Sequence, residues 1–530
     1  TILVFERGRG PLPQSMQGER PDEIVTYSRL YFQSQKVGNE LLRRGLKLGD
    51  RFAVYMRNHP EVIYCMTAAS MTGTVAVIID PRNRGQILSH ILNDSQAKLV
   101  IFADYLLEDM KDALKSTSIK DTLVLHSKDE GDVPTKNHAP LEEIMSMPDR
   151  EYIKNSVFDP MHPFQIIYTS GTTGMPKGVV QPNLSFFFRS ALSHFFGYRS
   201  HDVLYTGLSL SHGNAQAVTA FPAIARGIKA VLSRRFTKSR LWDITRIYGV
   251  TSFSLLGGMA GGIYNEPPRD NDGDNPVRTV ISAGTPRAIF EAFEKRFNVE
   301  ILEWYGTVEG GFTYKPIGKG PAGSFGKSSI PLIIDFRIVD DNDNDCPPDM
   351  KGELISRMKI GETKVEYHGK PEASQKKTRG GWLRSGDICH RDEDGWLFFD
   401  HRKGEELRRH GDFISPDLVE KVIGEMKEVS EVYVYGVPAA SGAPGESDLV
   451  AAVSPFAGKD IHPSRIFETC REKLPPNFVP TYIQVLHEIP KTPSEKPKDN
   501  LLKTTFSPDA ENVYSGDKLP GKTGRNVRLQ

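Results

Sequence analysis

The stretch Phe164–Val180 reads FQIIYTSGTTGMPKGVV and is the most informative segment of the chain. An apolar run leads into a loop with three glycines, four Ser/Thr hydroxyls and one lysine, and an apolar pair follows. Backbone N–H groups, hydroxyls and a cation together suit a polyphosphate. The spacing differs from that of the G-x-x-x-x-G-K-[ST] P-loop, and no helix pattern follows. A solvent-exposed Gly/Ser/Thr loop is the alternative interpretation.

Strand and helix patterns alternate on both sides of this loop. Apolar residues at helical spacing cover Tyr27–Arg44, Glu61–Met71 and Leu88–Asn93. Strand-like apolar runs lie at Arg51–Met56, Val75–Ile79, Leu99–Phe102, Thr122–Leu125, Phe164–Tyr168, Ala230–Leu232, Thr251–Leu256 and Thr279–Ser282. Strands that alternate with helices predict an α/β fold of parallel sheets with helical crossovers.

Two segments depart from this alternation. Residues 127–155 are polar and irregular, which predicts a surface excursion. Between Ile333 and Arg357 the pattern changes to strands with turn residues, which predicts a small β-rich subdomain. Within it, Asp340–Asp349 is predicted to be a turn, because the acidic cluster lacks the glycine and the terminal glutamate of an EF-hand.

A smaller α+β domain is predicted to start near Arg402–Glu405. Its elements are a helix at Asp417–Met426, strands at Glu431–Val437 and Leu449–Pro455, and a helix at Pro463–Lys473. We therefore predict three parts: a large N-terminal domain (1–403), a small C-terminal domain (404–506) and a polar tail (507–530) that is extended or disordered.

Composition narrows the class of partner. The chain has 530 residues, too many for one compact core, and 67 basic residues balance 67 acidic ones. A net charge of zero gives no global attraction to nucleic acid or to acidic membranes. No apolar run reaches the roughly 18 residues of a membrane span, and no signal-peptide pattern is seen. Residue 1 is Thr rather than Met, which leaves room for a trimmed upstream segment.

The cysteines indicate the compartment. Cys65, Cys346, Cys389 and Cys470 are far apart and form no C-x-x-C pair, so neither a zinc ribbon nor a redox motif is predicted. Four cysteines in a chain of this length do not make a disulfide scaffold. A reducing, cytoplasmic location is therefore the expectation.

Five further motifs follow the loop in chain order. They are SAGTP at Ser282–Pro286, WYGTVEG at Trp304–Gly310, GWLRSGD at Gly381–Asp387, DHRKGEELRRHG at Asp400–Gly411 and PKTPSEK at Pro490–Lys496. Taken singly, each has an ordinary explanation, such as a turn, a core aromatic or a charged surface run. In this order they resemble the motifs of the adenylate-forming (AMP-binding) superfamily, across nearly the whole chain. The fourth resembles the hinge of the fatty-acid-transport-protein and carnitine-CoA-ligase-like branches.

The resemblance implies a site for ATP and Mg²⁺. Lys177 would offset phosphate charge, and Glu309 would bind Mg²⁺, which prefers oxygen ligands shared with the nucleotide. Tyr305 would stack on adenine. Asp387 would accept the ribose hydroxyls, and Arg402 would also contact the ribose. The residues implied to bind the nucleotide are Thr169, Ser170, Gly171, Thr172, Thr173, Gly174, Gly284, Thr285, Tyr305, Gly306, Thr307, Asp387 and Arg402.

The same resemblance implies a reaction in two halves. Lys496 would be the catalytic lysine that bridges the substrate carboxylate and the α-phosphate of ATP, where negative charge develops. The small domain would then rotate about the hinge residue Glu405 and bring the face around Gly411 to coenzyme A. The expected activity is that of an acyl-CoA synthetase, with a small-molecule carboxylic acid, ATP and coenzyme A as substrates.

Three motif positions depart from the family pattern. Val308 replaces a threonine that would hydrogen-bond the α-phosphate, and Thr307 substitutes for it only with a backbone shift. His401 replaces an aspartate before Arg402. Glu495 replaces a glycine before Lys496, where its carboxylate would weaken the positive field.

The acyl pocket is read from two segments. His212, in LSLSHGN at Leu208–Asn214, occupies the place of the family's aromatic-His loop. The run SLLGGMAGG at Ser254–Gly262 lies where relatives line the pocket, with Gly257, Gly258 and Met259 as candidate lining residues. Its four glycines predict a wide pocket for a bulky, steroid-like or long hydrophobic acid. Close helix packing is the alternative explanation of the glycines.

Two other functions stay open at this point. One is an adenylating enzyme that loads a separate carrier protein instead of coenzyme A; no carrier-like Gly-Gly-x-Ser segment is evident in the chain. The other is a nucleotide-binding protein whose catalytic motifs have degenerated at Val308, His401 and Glu495. The sequence is also compatible with a homodimer.

Overall fold

The computed structural model describes residues 1–7, 22–127, 135, 138–153, 159–169, 175–330, 333–402, 407–409, 412–414, 416–440, 447–474, 478–492 and 497–516. The chain divides into two compact units. The first comprises Thr1–Arg337, Ile355–Ser385 and Asp394–Leu397, and the second comprises Ile338–Leu354, Gly386–Glu393 and Phe398–Gln530.

Between Leu3 and Lys315, the described residues form fifteen strands. They are β1 Leu3–Glu6, β2 Glu23–Val25, β3 Arg51–Tyr55, β4 Val75–Ile79, β5 Leu99–Ala103, β6 Asp121–Leu125, β7 Ala139–Pro140, β8 Pro163–Thr169, β9 Lys177–Pro182, β10 Val203–Thr206, β11 Lys229–Ser233, β12 Ser252–Leu256, β13 Thr279–Ala283, β14 Glu300–Thr307 and β15 Gly310–Lys315.

These strands form two sheets. One has the order β7-β6-β5-β3-β4-β8-β9 and is parallel except for the antiparallel pair β8–β9. The other has the order β15-β14-β13-β12-β10-β11-β1-β2, with antiparallel strands only at its two edges. All five residues of β4 are buried, as expected for a central parallel strand covered on both faces.

Helices of the first unit connect these strands. They are α1 Tyr27–Arg43, α2 Pro60–Thr72, α3 Gly85–Asp94, α4 Leu107–Leu114, α5 Leu141–Met145, α6 Asn183–Ala191, α7 Phe221–Arg226, α8 Leu241–Tyr248, α9 Gly257–Tyr264 and α10 Phe290–Phe297. A π-helical turn, Ala215–Ala220, precedes α7. Apolar residues of α3 and α4 pack on one sheet, and those of α8 and α10 pack on the other.

Six strands and one helix follow. They are β16 Ser324–Lys327, β17 Ser329–Ile330, β18 Ile334–Val339, β19 Gly352–Met358, α11 Pro371–Lys377, β20 Leu383–Arg391 and β21 Trp396–Arg402. The strands form a sheet in the order β16-β21-β20-β19-β18-β17. Between β18 and β19, the backbone N–H groups of Asn342 and Asn344 both donate to Oδ1 of Asp340, which makes this segment a turn.

The remaining elements belong to the second unit. They are β22 Leu407–Arg409, β23 Asp412–Ile414, α12 Pro416–Gly424, β24 Val429–Pro438, β25 Ser447–Pro455, α13 Pro463–Lys473, β26 Tyr482–Val485, α14 Asp499–Thr505 and β27 Val513–Ser515. Four strands form a sheet in the order β24-β25-β26-β27. Side chains of α12 and α13 pack into its core, which confirms the predicted α+β character.

Two sequence predictions need correction. The excursion 127–155 holds a short helix, α5, because Leu141 and Ile144 are apolar and are buried. The polar tail, predicted to be extended or disordered from residue 507, is in part a strand: β27 pairs with β26. The reason is that the apolar side chain of Val513 is buried and the edge of β26 is available for pairing. The mixed α/β class is confirmed. Among the helices that the described residues form, none is long and apolar enough to cross a membrane.

Candidate active site

The predicted phosphate loop lies at the turn of the β8–β9 hairpin. Thr169 pairs with Lys177 at the last step of the ladder, so both residues stand at the base of the loop. Ser170, Gly171, Thr172, Thr173 and Gly174 lie outside the described residues. The pairing fixes where the loop leaves and rejoins the sheet. That the residues at the tip of the loop bind phosphate stays a prediction.

One end of the hairpin is anchored to a carboxylate. The hydroxyl of Tyr168 donates to Oδ2 of Asp94 over 2.7 Å, and Nζ of Lys370 lies 2.6 Å from Oδ1 of the same residue. Burial alone would raise the pKa of Asp94, but the hydrogen bonds from Lys370 and Tyr168 hold it below its usual value. Asp94 therefore stays charged and fixes the strand that leads into the loop.

A tyrosine brings the predicted lysine and the predicted metal ligand together. The hydroxyl of Tyr367 donates to Oε1 of Glu309 over 2.9 Å. The ammonium of Lys177 lies 5.7 Å from the centre of the same ring, within cation–π range. Tyr367 is placed by backbone pairing of its segment with β9, in which His368 N–H donates to the carbonyl of Gly178. A cation and a carboxylate thus flank one aromatic side chain beside the loop.

The β14–β15 hairpin carries the next motif. A Cβ on Gly306 would lie 2.6 Å from the ring of Trp304 and 3.2 Å from the carbonyl of Gly311, so only glycine fits there. The hydroxyl of Thr307 donates to the carbonyl of Gly310 over 2.8 Å and closes the turn. The half-buried ring of Tyr305 has its centre 4.9 Å from that of Phe325.

The predicted adenine-side loop is held by a buried glutamate. The backbone N–H groups of Gly284 and Thr285 donate to the two carboxylate oxygens of Glu303, over 3.1 and 2.9 Å. Burial raises the pKa of Glu303 to about 7, although both N–H groups oppose that rise. The hydroxyl of Thr285 is buried and donates to Ser282. Gly284 has a φ of 92°, a conformation that favours glycine.

Val308, which stands where the family has a threonine, is packed among apolar side chains. Its neighbours in that cluster include Val179, Tyr367 and Leu383. Its carbonyl accepts a hydrogen bond from Nε2 of Gln181 over 3.1 Å. A Cβ on Gly213 would lie 3.3 Å from its Cγ2, so the His212 loop passes close to this motif.

The loop that carries His212 is fixed by a buried amide. Asn58 donates to the carbonyls of Leu208 and Ser233 and accepts from the N–H of Leu210 over 2.8 Å. Asp80 Oδ2 lies 3.3 Å from Nε2 of His212, and a guanidinium nitrogen of Arg82 lies 3.1 Å from the same atom. His212 is thus held by a charged pair at the end of β4.

The four glycines of the predicted pocket segment lie on α9, and the residues before them end β12. A Cβ on Gly261 would meet nothing within 4 Å, and one on Gly262 would meet only Cδ of Lys238 at 4.0 Å. Close packing therefore does not explain these two glycines. Met259 is partly buried and packs against the core of the eight-stranded sheet, while the surroundings of Gly257 and Gly258 lie outside what the structure describes.

The remaining predicted residues lie later in the chain. Asp387 is buried on β20, in the second unit, and Arg402 ends β21. Glu405, Gly411 and Lys496 lie outside the described residues. The segment before Lys496 is bracketed by an isolated bridge between Lys491 and Pro497, and Lys491 forms an ion pair with Glu431. The roles of these residues stay predictions.

The donor set around Tyr367 fits a magnesium nucleotide. Glu309 supplies a carboxylate oxygen, Lys177 supplies a cation, and the N–H groups and hydroxyls of the loop would meet phosphate oxygens. No cluster of three or more His, Cys, Asp or Glu side chains suited to a metal is found in the part of the chain that the structure describes. A single carboxylate of this kind would hold Mg²⁺ jointly with the nucleotide, because Mg²⁺ is commonly bound by one or two carboxylates plus substrate phosphates.

Sequence reasoning missed three residues that organise the site: Asp80, Glu303 and Tyr367. Asp80 directly follows the buried strand Val75–Ile79, and a charged residue at the carboxyl end of a parallel strand is a recognisable signal. Glu303 is a carboxylate among buried apolar residues of β14, which also signals a specific partner. Tyr367 lies in no regular element, and no local pattern indicates its contact with Glu309.

Comparison with known proteins identifies the family. Residues 14–360 match the family described as AMP-binding enzyme, and residues 418–496 match the AMP-binding enzyme C-terminal domain. The medium/long-chain-fatty-acid–CoA ligase FadD17 of Mycobacterium marinum is 27% identical, over 88% of this chain and 87% of that protein. Long-chain fatty acid transport protein 1 of Bos taurus is 26% identical, over 95% of this chain and 84% of that protein. Crotonobetaine/carnitine–CoA ligase of Salmonella heidelberg is 25% identical, over 94% of each chain.

A solved structure shows the same fold. The crystal structure of the anthranilate CoA ligase AuaEII in complex with anthranoyl-AMP superposes with a TM-score of 0.79 at 21% identity, over 90% of this chain and 91% of that one. The resemblance inferred from the motifs is confirmed. Because the first family match alone covers more than half of the sequence, the chain belongs to the family of AMP-binding enzymes.

Proposed function

We propose that this AMP-binding enzyme is an acyl-CoA synthetase, an acid–thiol ligase that uses ATP, Mg²⁺ and coenzyme A. The observation that carries the proposal is the arrangement of Lys177 and Glu309 about Tyr367, beside the phosphate loop. Membership in the family supports the adenylate-forming chemistry. The names of relatives, which include a fatty-acid–CoA ligase and a carnitine–CoA ligase, support coenzyme A as the acceptor.

In the first half-reaction, an oxygen of the substrate carboxylate attacks the α-phosphorus of ATP. The bond from that phosphorus to the bridging oxygen breaks, and pyrophosphate leaves. Lys177 and the loop donors offset charge on the leaving pyrophosphate, and Glu309 would hold Mg²⁺, which would offset further phosphate charge. Lys496 bridges the attacking carboxylate and the α-phosphate. The fixed positions of these groups are the main catalytic contribution, since little covalent chemistry falls to the protein.

In the second half-reaction, the thiol of coenzyme A attacks the acyl carbonyl carbon of the acyl-adenylate. The thiol proton is lost, a thioester forms and AMP leaves. The proposal assigns the hinge to Glu405 and the approach of coenzyme A to the face around Gly411. The same proposal places the boundary between the large and the small domain near residue 403.

The nucleotide site is proposed to comprise the loop residues from Thr169 to Gly174 together with Gly284, Thr285, Tyr305, Gly306, Thr307, Asp387 and Arg402. Its adenine side is supported by the glutamate clamp on Gly284 and Thr285, which fixes the backbone of that loop. Its phosphate side is supported by the hairpin that closes at Thr307.

The acid is proposed to be bulky or long and largely hydrophobic. The open space beside Gly261 and Gly262 supports a wide cleft along α9. His212, Gly257, Gly258 and Met259 are proposed as pocket residues, with His212 held by Asp80 and Arg82. A cytoplasmic location and a homodimer complete the proposal. The location is supported by the four cysteines, all of which are buried free thiols.

The experiment is a measurement of AMP and pyrophosphate release from Mg·ATP with acids from acetate to long-chain and steroid-like ones. Each acid is tested with coenzyme A, with a carrier protein and with neither acceptor. The proposal expects AMP and acyl-CoA in equal amounts, with a hydrophobic acid and coenzyme A only. Turnover with the carrier alone would favour the carrier-loading enzyme. ATP binding without pyrophosphate release for any acid would contradict the proposal.

A further inference from the structure

Arg189, on α6, is a half-buried cation held by two neutral groups. One of its guanidinium nitrogens donates to Oε1 of Gln181 over 2.8 Å, and another donates to Oε1 of Gln216 over 3.0 Å. Within the described part of the chain, no Asp or Glu oxygen lies within ion-pair distance of it. Since a guanidinium has five N–H donors, two amide oxygens leave part of its capacity unused.

The two amides that hold Arg189 are themselves fixed. Gln216 is fully buried; it donates to the carbonyl of Leu210 over 2.8 Å and exchanges hydrogen bonds with the amide of Gln165. Gln181 is buried and donates to the carbonyl of Val308. Because each amide is held from both sides, the guanidinium has a defined position before any ligand arrives.

This position lies between the His212 loop of the proposed acid site and the adenylation motif. Through Gln216, Arg189 is joined to the loop of Leu208–Asn214, whose His212 carbonyl accepts from the N–H of Gln216. Through Gln181, it is joined to Val308 in the adenylation motif. Gln216 also lies within the π-helical turn Ala215–Ala220, and such turns are often found at functional sites.

A half-buried cation with no opposite charge beside it is costly for the folded protein. Burial lowers the pKa of Arg189 to about 10, and no acidic side chain among the described residues offsets this effect. Such groups are ordinarily paired, and the protein would retain an unpaired one where a ligand supplies the anion. A planar guanidinium matches a carboxylate through two parallel hydrogen bonds.

We propose that Arg189 binds a second carboxylate of the acid, remote from the carboxylate that is activated, so that the substrate is a dicarboxylic acid with a largely apolar body. This inference rests on the proposed function, since it places the second carboxylate in the acid site of that enzyme. It narrows the substrate class from hydrophobic acids in general to those with an anionic group at a fixed distance from the reacting end.

The test compares length-matched acids in pairs: hexanoate with adipate, octanoate with suberate, and dodecanoate with dodecanedioate. The specificity constant kcat/KM of coenzyme-A-dependent AMP release is measured for the wild type, Arg189→Met and Arg189→Lys. Arg226→Met is the matched control, because Arg226, on α7, is an arginine whose guanidinium also donates to neutral partners, the hydroxyl of Ser193 and the carbonyl of Tyr198.

We expect the wild type to favour the diacid of at least one pair by about tenfold or more, as a charge-assisted hydrogen bond allows. Arg189→Met should abolish that preference and leave the monoacid within about twofold, while Arg189→Lys retains part of it. The control should change neither acid selectively. An equal loss of kcat/KM for both acids in Arg189→Met would overturn the inference. A wild-type preference for monoacids that this variant leaves unchanged would overturn it as well. Either result would leave the proposed function standing.

Turnover of no acid at all would count against the proposed function instead. The inference is then tested by diacid binding alone. Adipate, suberate and dodecanedioate are titrated calorimetrically into each variant in the presence of Mg·ATP. Binding of one of these diacids that is lost in Arg189→Met and kept in the control supports it. Binding equal in the two variants, or no binding of any of the three, overturns it.

Discussion

The carboxylate of Asp80 lies 3.3 Å from Nε2 of His212, a residue distant from it in the sequence. The hydroxyl of Ser211, 131 positions from Asp80, donates to the same carboxylate. Arg82 donates to Asp80 and completes a charged group at the end of β4. Burial alone would raise the pKa of Asp80, but hydrogen bonds from His212 and Arg82 outweigh burial and hold it well below its usual range. Asp80 is therefore charged at neutral pH and positions His212.

Asp80→Asn should weaken this positioning. The amide keeps the size of the carboxylate but loses its charge, so one charge-assisted hydrogen bond is weakened. We expect kcat/KM for the acid to fall by about tenfold while the KM for ATP is unchanged. Steady-state kinetics with each substrate varied in turn measures this. Asp50→Asn is the control, because Asp50 pairs with the exposed Lys98. An equal rise of both KM values would contradict the positioning role.

Tyr367→Phe should raise the Mg²⁺ requirement. The variant keeps the aromatic ring near Lys177 but removes the hydroxyl that donates to Glu309. Without that bond, Glu309 is less well oriented toward the metal, and we expect half-maximal activity to need roughly three to ten times more Mg²⁺. Pyrophosphate release is titrated against Mg²⁺ at saturating ATP. Tyr152→Phe, which removes an exposed hydroxyl bonded to the carbonyl of Pro148, serves as the control. An unchanged titration curve would remove Tyr367 from the metal site.

Glu61→Gln should make the folded protein more stable at alkaline pH. Burial and the nearby Glu23 raise the pKa of Glu61 from 4.5 to about 7, and its Oε2 is buried without a hydrogen-bond partner. The pKa of this carboxyl is higher in the folded than in the unfolded protein, so the folded state is favoured while the group is protonated. That stability is fully present below pH 4.5 and is lost as the pH rises through 7. Ionisation of the carboxyl therefore costs up to about 3 kcal/mol above pH 7.

Urea unfolding at pH 5 and pH 8 measures this effect. The glutamine variant should gain stability relative to the wild type as the pH rises, because it has no proton to lose. Glu108→Gln, at an exposed side chain that pairs with Lys111, should leave the pH dependence unchanged. Parallel curves for Glu61→Gln and the wild type would show that Glu61 is ionised at no cost.

Phe297→Ala should destabilise the first unit. Phe297 is 1% exposed, and its ring stacks on Trp242 with the centres 4.4 Å apart. Removing a buried phenyl ring costs about 3–5 kcal/mol, because apolar contacts are lost and a cavity remains. Thermal unfolding followed by tryptophan fluorescence reports the loss. Phe188→Ala, at a side chain 56% exposed on α6, should cost far less. Equal destabilisation by the two variants would contradict the packing account.

Local sequence patterns predicted the strands well because burial in a parallel sheet leaves a continuous apolar run, as in Val75–Ile79. They failed where structure depends on distant partners. β27 is a strand only because β26 offers it an edge, and polar residues around Val513 hide that signal. In the same way, the motifs identified Glu309 and Lys177, but Tyr367 joins them through a fold contact that spans 58 positions to Glu309.

The central claim is that an acid is first adenylated and then transferred to coenzyme A. A rapid-quench, single-turnover reaction with enzyme in excess over ATP tests it most directly, with acyl-AMP, AMP and acyl-CoA separated by chromatography. We predict that acyl-AMP accumulates without coenzyme A, that adding coenzyme A converts it to equal amounts of acyl-CoA and AMP, and that Lys496→Ala suppresses the first step. AMP that appears without an acyl-AMP intermediate, or ADP in its place, would contradict the account.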